Sequence, residues 1–159
     1  MHAYLTAPTV PAALGTALLP SGITTIYNGS VWVCTTPVGS EILTSQSISS
    51  GTFTDLATAG PSVTLVTGTT ALISLSSYIG LAPGEAGYIS VAVSGATTLA
   101  ASANYQLEFF VPSSSTEAMV GRTFILGGLT AGTNTFKMQY RTNGTVDFIR
   151  RELVVQGIA

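Results

Sequence analysis

The stretch that most limits the fold is Gly127 to Val155, GGLTAGTNTFKMQYRTNGTVDFIRRELVV. Between Thr135 and Arg141, Phe136, Met138 and Tyr140 share one parity, while Thr135, Lys137, Gln139 and Arg141 share the other. A period of two sends alternate side chains to opposite faces of an extended chain, so this segment is a strand with one apolar face and one wet face. Asn143-Gly144 accepts the positive φ angles of a two-residue turn at little cost. It predicts an antiparallel hairpin returning through Val146 and Phe148. On the return strand the parity breaks: Val146 and Phe148 lie on one set of positions, and Arg151, Leu153 and Val155 on the other. An extra residue, a β-bulge around Ile149-Arg150, keeps both sets on the core face. Arg151 is then turned inward and needs a carboxylate or carbonyl partner, with Glu85, Glu108 and Glu117 as the available acids. The alternative is an exposed Arg150-Arg151-Glu152 cluster at a strand edge.

Upstream, further strands are expected at Ser62–Thr67, Thr70–Leu75, Gly87–Ser94, Tyr105–Val111 and Arg122–Leu126, with Phe53 opening another. Gly68, Pro83-Gly84, Ser94-Gly95, Pro112 with three serines, and Gly127-Gly128 separate them. Short strands at near-regular spacing without a helical period argue for an all-β sandwich or barrel. Ile89, Val91, Val93, Tyr105, Leu107 and Phe109 join Phe136, Met138, Tyr140 and Phe148 as inward-facing positions. Before Gly51 the chain has a different character. Pro8, Pro11 and Pro20 among Ala, Leu and Thr make an extended apolar arm, and Thr24 to Thr35 reads as a second Asn-Gly hairpin around Asn28-Gly29. Pro37, Gly39 and the polar run Ser45 to Thr52 read as a connector, which places an arm, hairpin and connector at residues 1–50 and the sandwich at 51–159.

Charge separates the possible functions. Only 8% of the 159 residues are charged, against about 25% in an average soluble domain, and the net charge is -2. A surface of Ser, Thr, Gly and Ala gives little mutual repulsion, so the chain is expected to bury surface against copies of itself or a larger assembly. Five basic residues leave no electrostatic footprint for nucleic acid. The prolines break every apolar run short of a membrane span, and no basic segment opens an export signal. Cys34 has no partner for an internal disulfide. The only histidine is His2, so no Ser-His-Asp or Cys-His set can be assembled. Seven scattered carboxylates and the absence of Cys or His clusters predict neither a catalytic pair nor a metal site, and no loop has the pattern that cradles phosphate. No cofactor is expected, and no enzymatic activity.

The run from Gly87 through GYISVAVSGATTLAASANYQLEFF, followed by FILGGLTAGTNTFKMQYRTNGTVDFIRRELVV, resembles small jelly-roll domains of tailed-bacteriophage virion proteins. The positions that carry the resemblance are Ser94, Gly95 and Ala96, then Leu129, Thr130, Gly132, Asn134 and Phe136, then Gly144, Thr145, Phe148 and Arg151. It covers about half the chain and none of the first fifty residues. The resemblance implies a jelly-roll β-sandwich, a homotrimer, and a structural role on the outer surface of a phage particle after synthesis in the host cytoplasm. Capsid decoration, as a cement or head-fibre protein bound to the major capsid protein or another virion protein, is the first expectation. A tail-fibre or receptor-binding module recognising a host-surface glycan is the second. In the first case Tyr4, Leu5, Leu14, Leu18, Leu19, Tyr27 and Trp32 form the attachment arm, and strand faces containing Ser90, Ala92, Leu72 and Ser74 form the contacts between copies.

Overall fold

The computed structural model describes residues 16–18 and 23–158. Among these, the strands are β1 (Thr16–Leu18), β2 (Thr24–Tyr27), β3 (Trp32–Cys34), β4 (Val38–Ile42), β5 (Gln46–Ile48) and β6 (Ser62–Thr67). They continue with β7 (Thr70–Leu81), β8 (Ala86–Gly95), β9 (Leu107–Phe110), β10 (Thr116–Gly127), β11 (Gly132–Thr142) and β12 (Val146–Ile158). The one helical turn among the described residues is a 3-10 turn at Ala103–Tyr105.

The pairing is that of a ribbon folded at its middle and then rolled. The first strand of the ribbon pairs with the last, β4 with β12, and the series continues inward through β6 with β11, β7 with β10, and β8 with β9, all antiparallel. Rolling the ribbon brings β7 onto β12 and β8 onto β11, which makes two facing sheets ordered β10-β7-β12-β4 and β6-β11-β8-β9. β5 extends the first sheet alongside β12. Two four-strand layers connected this way form a jelly roll.

Between the layers sit the expected core side chains. Phe136, Met138, Tyr140 and Phe148 are fully buried, with Ile89, Val91, Val93 and Leu107 beside them. Burial of such a side chain is worth about 1.5–3 kcal/mol, which lets a chain this poor in ion pairs hold together. Tyr105 and Phe109 are only partly buried, and Tyr105 lies in the 3-10 turn rather than on a strand.

Three expectations are corrected. β11 and β12 do not form a hairpin: they lie in opposite sheets, and their rings meet across the sandwich, Tyr140 and Phe148 at 4.7 Å. The segment 143–145 is therefore a corner between layers. Asn143 Oδ1 accepts from the Ala86 amide at 2.5 Å, and Gly144 lacks a positive φ. Glycine is needed there because a Cβ would lie 2.8 Å from Glu85 Cδ, whose carboxylate is pinned by the amides of Ala82 and Thr145 at 2.9 Å each. Second, the supposed connector is part of the sandwich. Gly39 and Glu41 fall in β4 and Ser47 in β5, so the sheet begins at Val38 instead of Gly51. Third, the loop at Asn28-Gly29 has four residues, because Tyr27 pairs with Trp32 and Asn28 Oδ1 accepts from the amides of Ser30 and Val31.

The bulge lies where the parity break predicts. The register of β12 against β7 shifts between Phe148 and Arg150, which leaves Val146, Phe148, Arg151, Leu153 and Val155 all facing the core.

Candidate functional site: two faces and two ends

Arg151 is completely buried, and none of the three candidate acids reaches it. Its guanidinium donates to the carbonyl oxygens of Thr44 at 3.0 Å and Thr58 at 3.4 Å, and lies 5.7 Å from the centre of the Tyr140 ring. The cation therefore ties two loops, the one between β4 and β5 and the one between β5 and β6, to the inner face of β12. Tyr140 donates its own hydroxyl to Gly60 O at 2.8 Å, and burial pushes its phenol well above the usual range despite the opposing pull of Arg151. These are devices for holding loops. No substrate could reach a group so enclosed.

The N-terminal hairpin is seated at one end of the roll. Val33 is fully buried, and Gly68 and Gly157 give it room: a Cβ on Gly157 would lie 2.6 Å from Cys34 O and 2.7 Å from Val33 Cγ1. Gln156 Nε2 adds a hydrogen bond to Thr35 O at 2.7 Å. Tyr27 and Trp32 face each other across the hairpin with ring centres 5.4 Å apart. Trp32 also walls a mostly apolar groove of about 300 Å³ with Ile23, Cys34, Val38, Leu65 and Val66. Of the other expected attachment residues, Leu18 belongs to β1, while Tyr4, Leu5, Leu14 and Leu19 lie outside the described residues.

At the other end the loops 82–85, 111–115 and 143–145 gather, tied by Gly84 N to Val111 O at 2.8 Å and by the Glu85 carboxylate. A groove of about 290 Å³ opens there, lined by Gly80, Leu81, Ser115, Glu117, Thr145 and Asp147 among others. Glu117 and Asp147 flank Gly80 in one cross-strand row. Glu117 accepts from the Tyr78 hydroxyl at 2.8 Å, a bond that raises the Tyr78 phenol above its ordinary value, and Asp147 accepts from Ser47. Among the described residues no aromatic ring lines this groove. Among the described residues no three His, Cys, Asp or Glu side chains come together as metal ligands, and no helix is long and apolar enough to cross a membrane.

The two sheets differ in what covers their outer faces. Over β6-β11-β8-β9 the chain folds its own loops: Asp55 pairs with Lys137 at 2.7 Å, Arg141 stacks on Tyr88 at 4.1 Å, and Ser90 is buried under Ser102. Ser90 is therefore unavailable as a contact between copies, because the loop after β8 already occupies it. The outer face of β10-β7-β12-β4 has no such cover among the described residues. It presents the row Ile125, Leu72, Gln156 and the row Thr123, Ser74, Val154, Gly39. Met119 is 57% exposed and Ile125 63%. Strand parity alone would have identified Met119 and Ile125, had β10 been read from Thr116 instead of Arg122.

No protein-family model and no curated protein matches the chain. Among solved structures it is similar to "Structure of infectious bursal disease virus Gx strain", at 11% identity and a TM-score of 0.34, over 94% of this chain and 42% of that one. This chain thus spans less than half the length of that one, and a likeness at this level carries no argument about function.

Proposed function

We propose that the protein is a non-enzymatic structural component of a virus particle, a capsid decoration protein of a tailed bacteriophage that assembles as a homotrimer and is held by its N-terminal end. The observation that carries this reading is the division of the molecule into two ends. The hairpin is docked beside Gly157 and Gly68, whereas the loop-built end begins at Leu81 and Asp147. The 12 residues of β7 separate the two ends by about 40 Å at roughly 3.3 Å per residue. Two ends built so differently, on opposite sides of the sandwich, suit attachment at one and display at the other. A jelly roll with a buried, loop-tying arginine and a sparsely charged surface is a scaffold, and the chemistry of its few acids stays on the outside. The receptor-binding alternative draws less support, because the described lining of the groove at the display end is of small and acidic residues rather than the rings on which a sugar stacks.

The test uses the full chain with Leu5→Glu and Leu14→Glu, added to particles that lack the native protein. Attachment through the arm predicts that the wild-type chain decorates the particles and the double variant does not. Equal occupancy by both would place the contact elsewhere on the molecule.

A further inference from the structure

The bare face of β10-β7-β12-β4 divides along its length. Toward Leu81 it carries Glu117, Asp147, Arg150, Glu152 and Glu41; from Gly121 to the Gly127 end of β10, neither the outward positions of that strand nor Thr70, Leu72 and Ser74 of β7 present a charge, since Arg122 turns to the opposite side toward Gln106 O. Across the same half, β12 contributes Val154, Gln156 and Ile158. We infer that this face is the surface through which copies of the chain associate, with its uncharged half at the centre of the contact and a second copy of this chain as the occupant.

Four features of the face support that occupant. Its area is right. Three strands of 12, 12 and 13 residues with the shorter β4 and β5 alongside, at roughly 3.3 Å rise and roughly 4.8 Å spacing, give a face on the order of 700 Å². A partner in a stable interface contributes about 800 Å². Its polar groups are cheap to bury: the Ser74 and Thr123 hydroxyls bond to each other, and Ser76 donates to Glu152. Its one cation, Arg150, is paired with Glu41, while Glu117, Asp147 and Glu152 accept only from the neutral hydroxyls of Tyr78, Ser47 and Ser76, so the Leu81 end stays negative and falls at the rim of the contact, away from the uncharged half. Ile125 is 63% exposed on the edge strand β10, where it and Leu72 beside it make an apolar pair open to a neighbouring copy.

The inference rests on the proposed self-assembly for the identity of the partner and adds the surface that makes it. The test is the solution mass of the full chain by light scattering and sedimentation at micromolar concentration, for the wild type, Ile125→Glu and Phe110→Glu. Phe110 is 51% exposed on β9, in the other sheet, and serves as the control. Wild type and Phe110→Glu are expected to be oligomers of the same mass. Ile125→Glu is expected to weaken association by about a hundredfold or more, since a carboxylate would be trapped unpaired at each contact. Circular dichroism should be unchanged in Ile125→Glu, because the side chain lies on the outer face of the folded chain, while its melting temperature should drop to that of a dissociated chain. An oligomeric Ile125→Glu beside an oligomeric wild type would overturn the choice of face while leaving self-assembly intact. A monomeric wild type would overturn both.

Discussion

Replacing Arg151 by alanine is the sharpest test of how the last strand is built. The side chain is completely buried, and its guanidinium holds Thr44 O and Thr58 O in two loops 107 and 93 residues away in sequence. Arg151→Ala removes two charge-assisted bonds worth about 1.5–3 kcal/mol each and opens a cavity where the stem packed. Against this, it releases a buried cation that lacks a carboxylate and whose Nε has no partner, which returns part of the loss. The net cost is about 3–4 kcal/mol. For a domain of this size that lowers Tm by roughly 6–15 °C. Arg150, one residue away and on the outer face of the strand, has a side chain 53% exposed and an ion pair with Glu41 on the surface. Arg150→Ala should cost less than about 1 kcal/mol. Urea denaturation with circular dichroism gives both free energies on one scale, and Arg151→Met, which keeps the stem and removes the charge, should recover much of the loss. Equal, small losses for Arg150→Ala and Arg151→Ala would refute the bulge and the inward arginine together.

Gly157→Ala would press a methyl group into Cys34 O and Val33, so it should lift the hairpin while leaving the sandwich folded. Trp32 and Cys34, the only tryptophan and cysteine in the chain, report this directly: the emission of Trp32 should shift and the thiol should react much faster with a disulfide reagent. An unchanged thiol rate would mean that the hairpin is not seated on Gly157. Tyr140→Phe should cost about 1 kcal/mol through the lost bond to Gly60 O. Because burial raises the Tyr140 phenol above its unfolded value of 10.0, the wild-type chain keeps this contribution below about pH 10 and loses up to roughly 1.4 kcal/mol per pH unit above it. Stability of the phenylalanine variant should fall less steeply over that range, and parallel slopes would contradict a buried phenol.

Alternation made the core of the sandwich legible: Phe136, Met138, Tyr140 and Phe148 follow from parity, and so does the bulge, since only an extra residue reconciles Phe148 with Arg151. The layer to which each strand belongs was not legible. Thr142 to Val146 has the composition of a hairpin turn, and the close approach of Glu85, which makes it a corner, comes from a residue far away in sequence. Strand β4 was hidden because Pro37 and Gly39 look like loop punctuation, although Gly39 faces outward beside Val154 and costs the ladder nothing. The candidate site was legible in kind but not in place. Sparse charge points to buried contact surface, yet the sequence does not reveal that the chain covers Ser90 with its own loop and leaves Ile125 bare.

The most direct test of the central claim is a cryo-EM reconstruction of purified virus particles carrying the gene for this chain, with copy number measured by quantitative mass spectrometry. The account predicts the chain on the outer surface, in a fixed ratio to the major shell protein, with the hairpin of Tyr27 and Trp32 toward the shell and the loops 82–85, 111–115 and 143–145 outermost. A chain absent from the purified particles, or attached by the loop-built end, would contradict it.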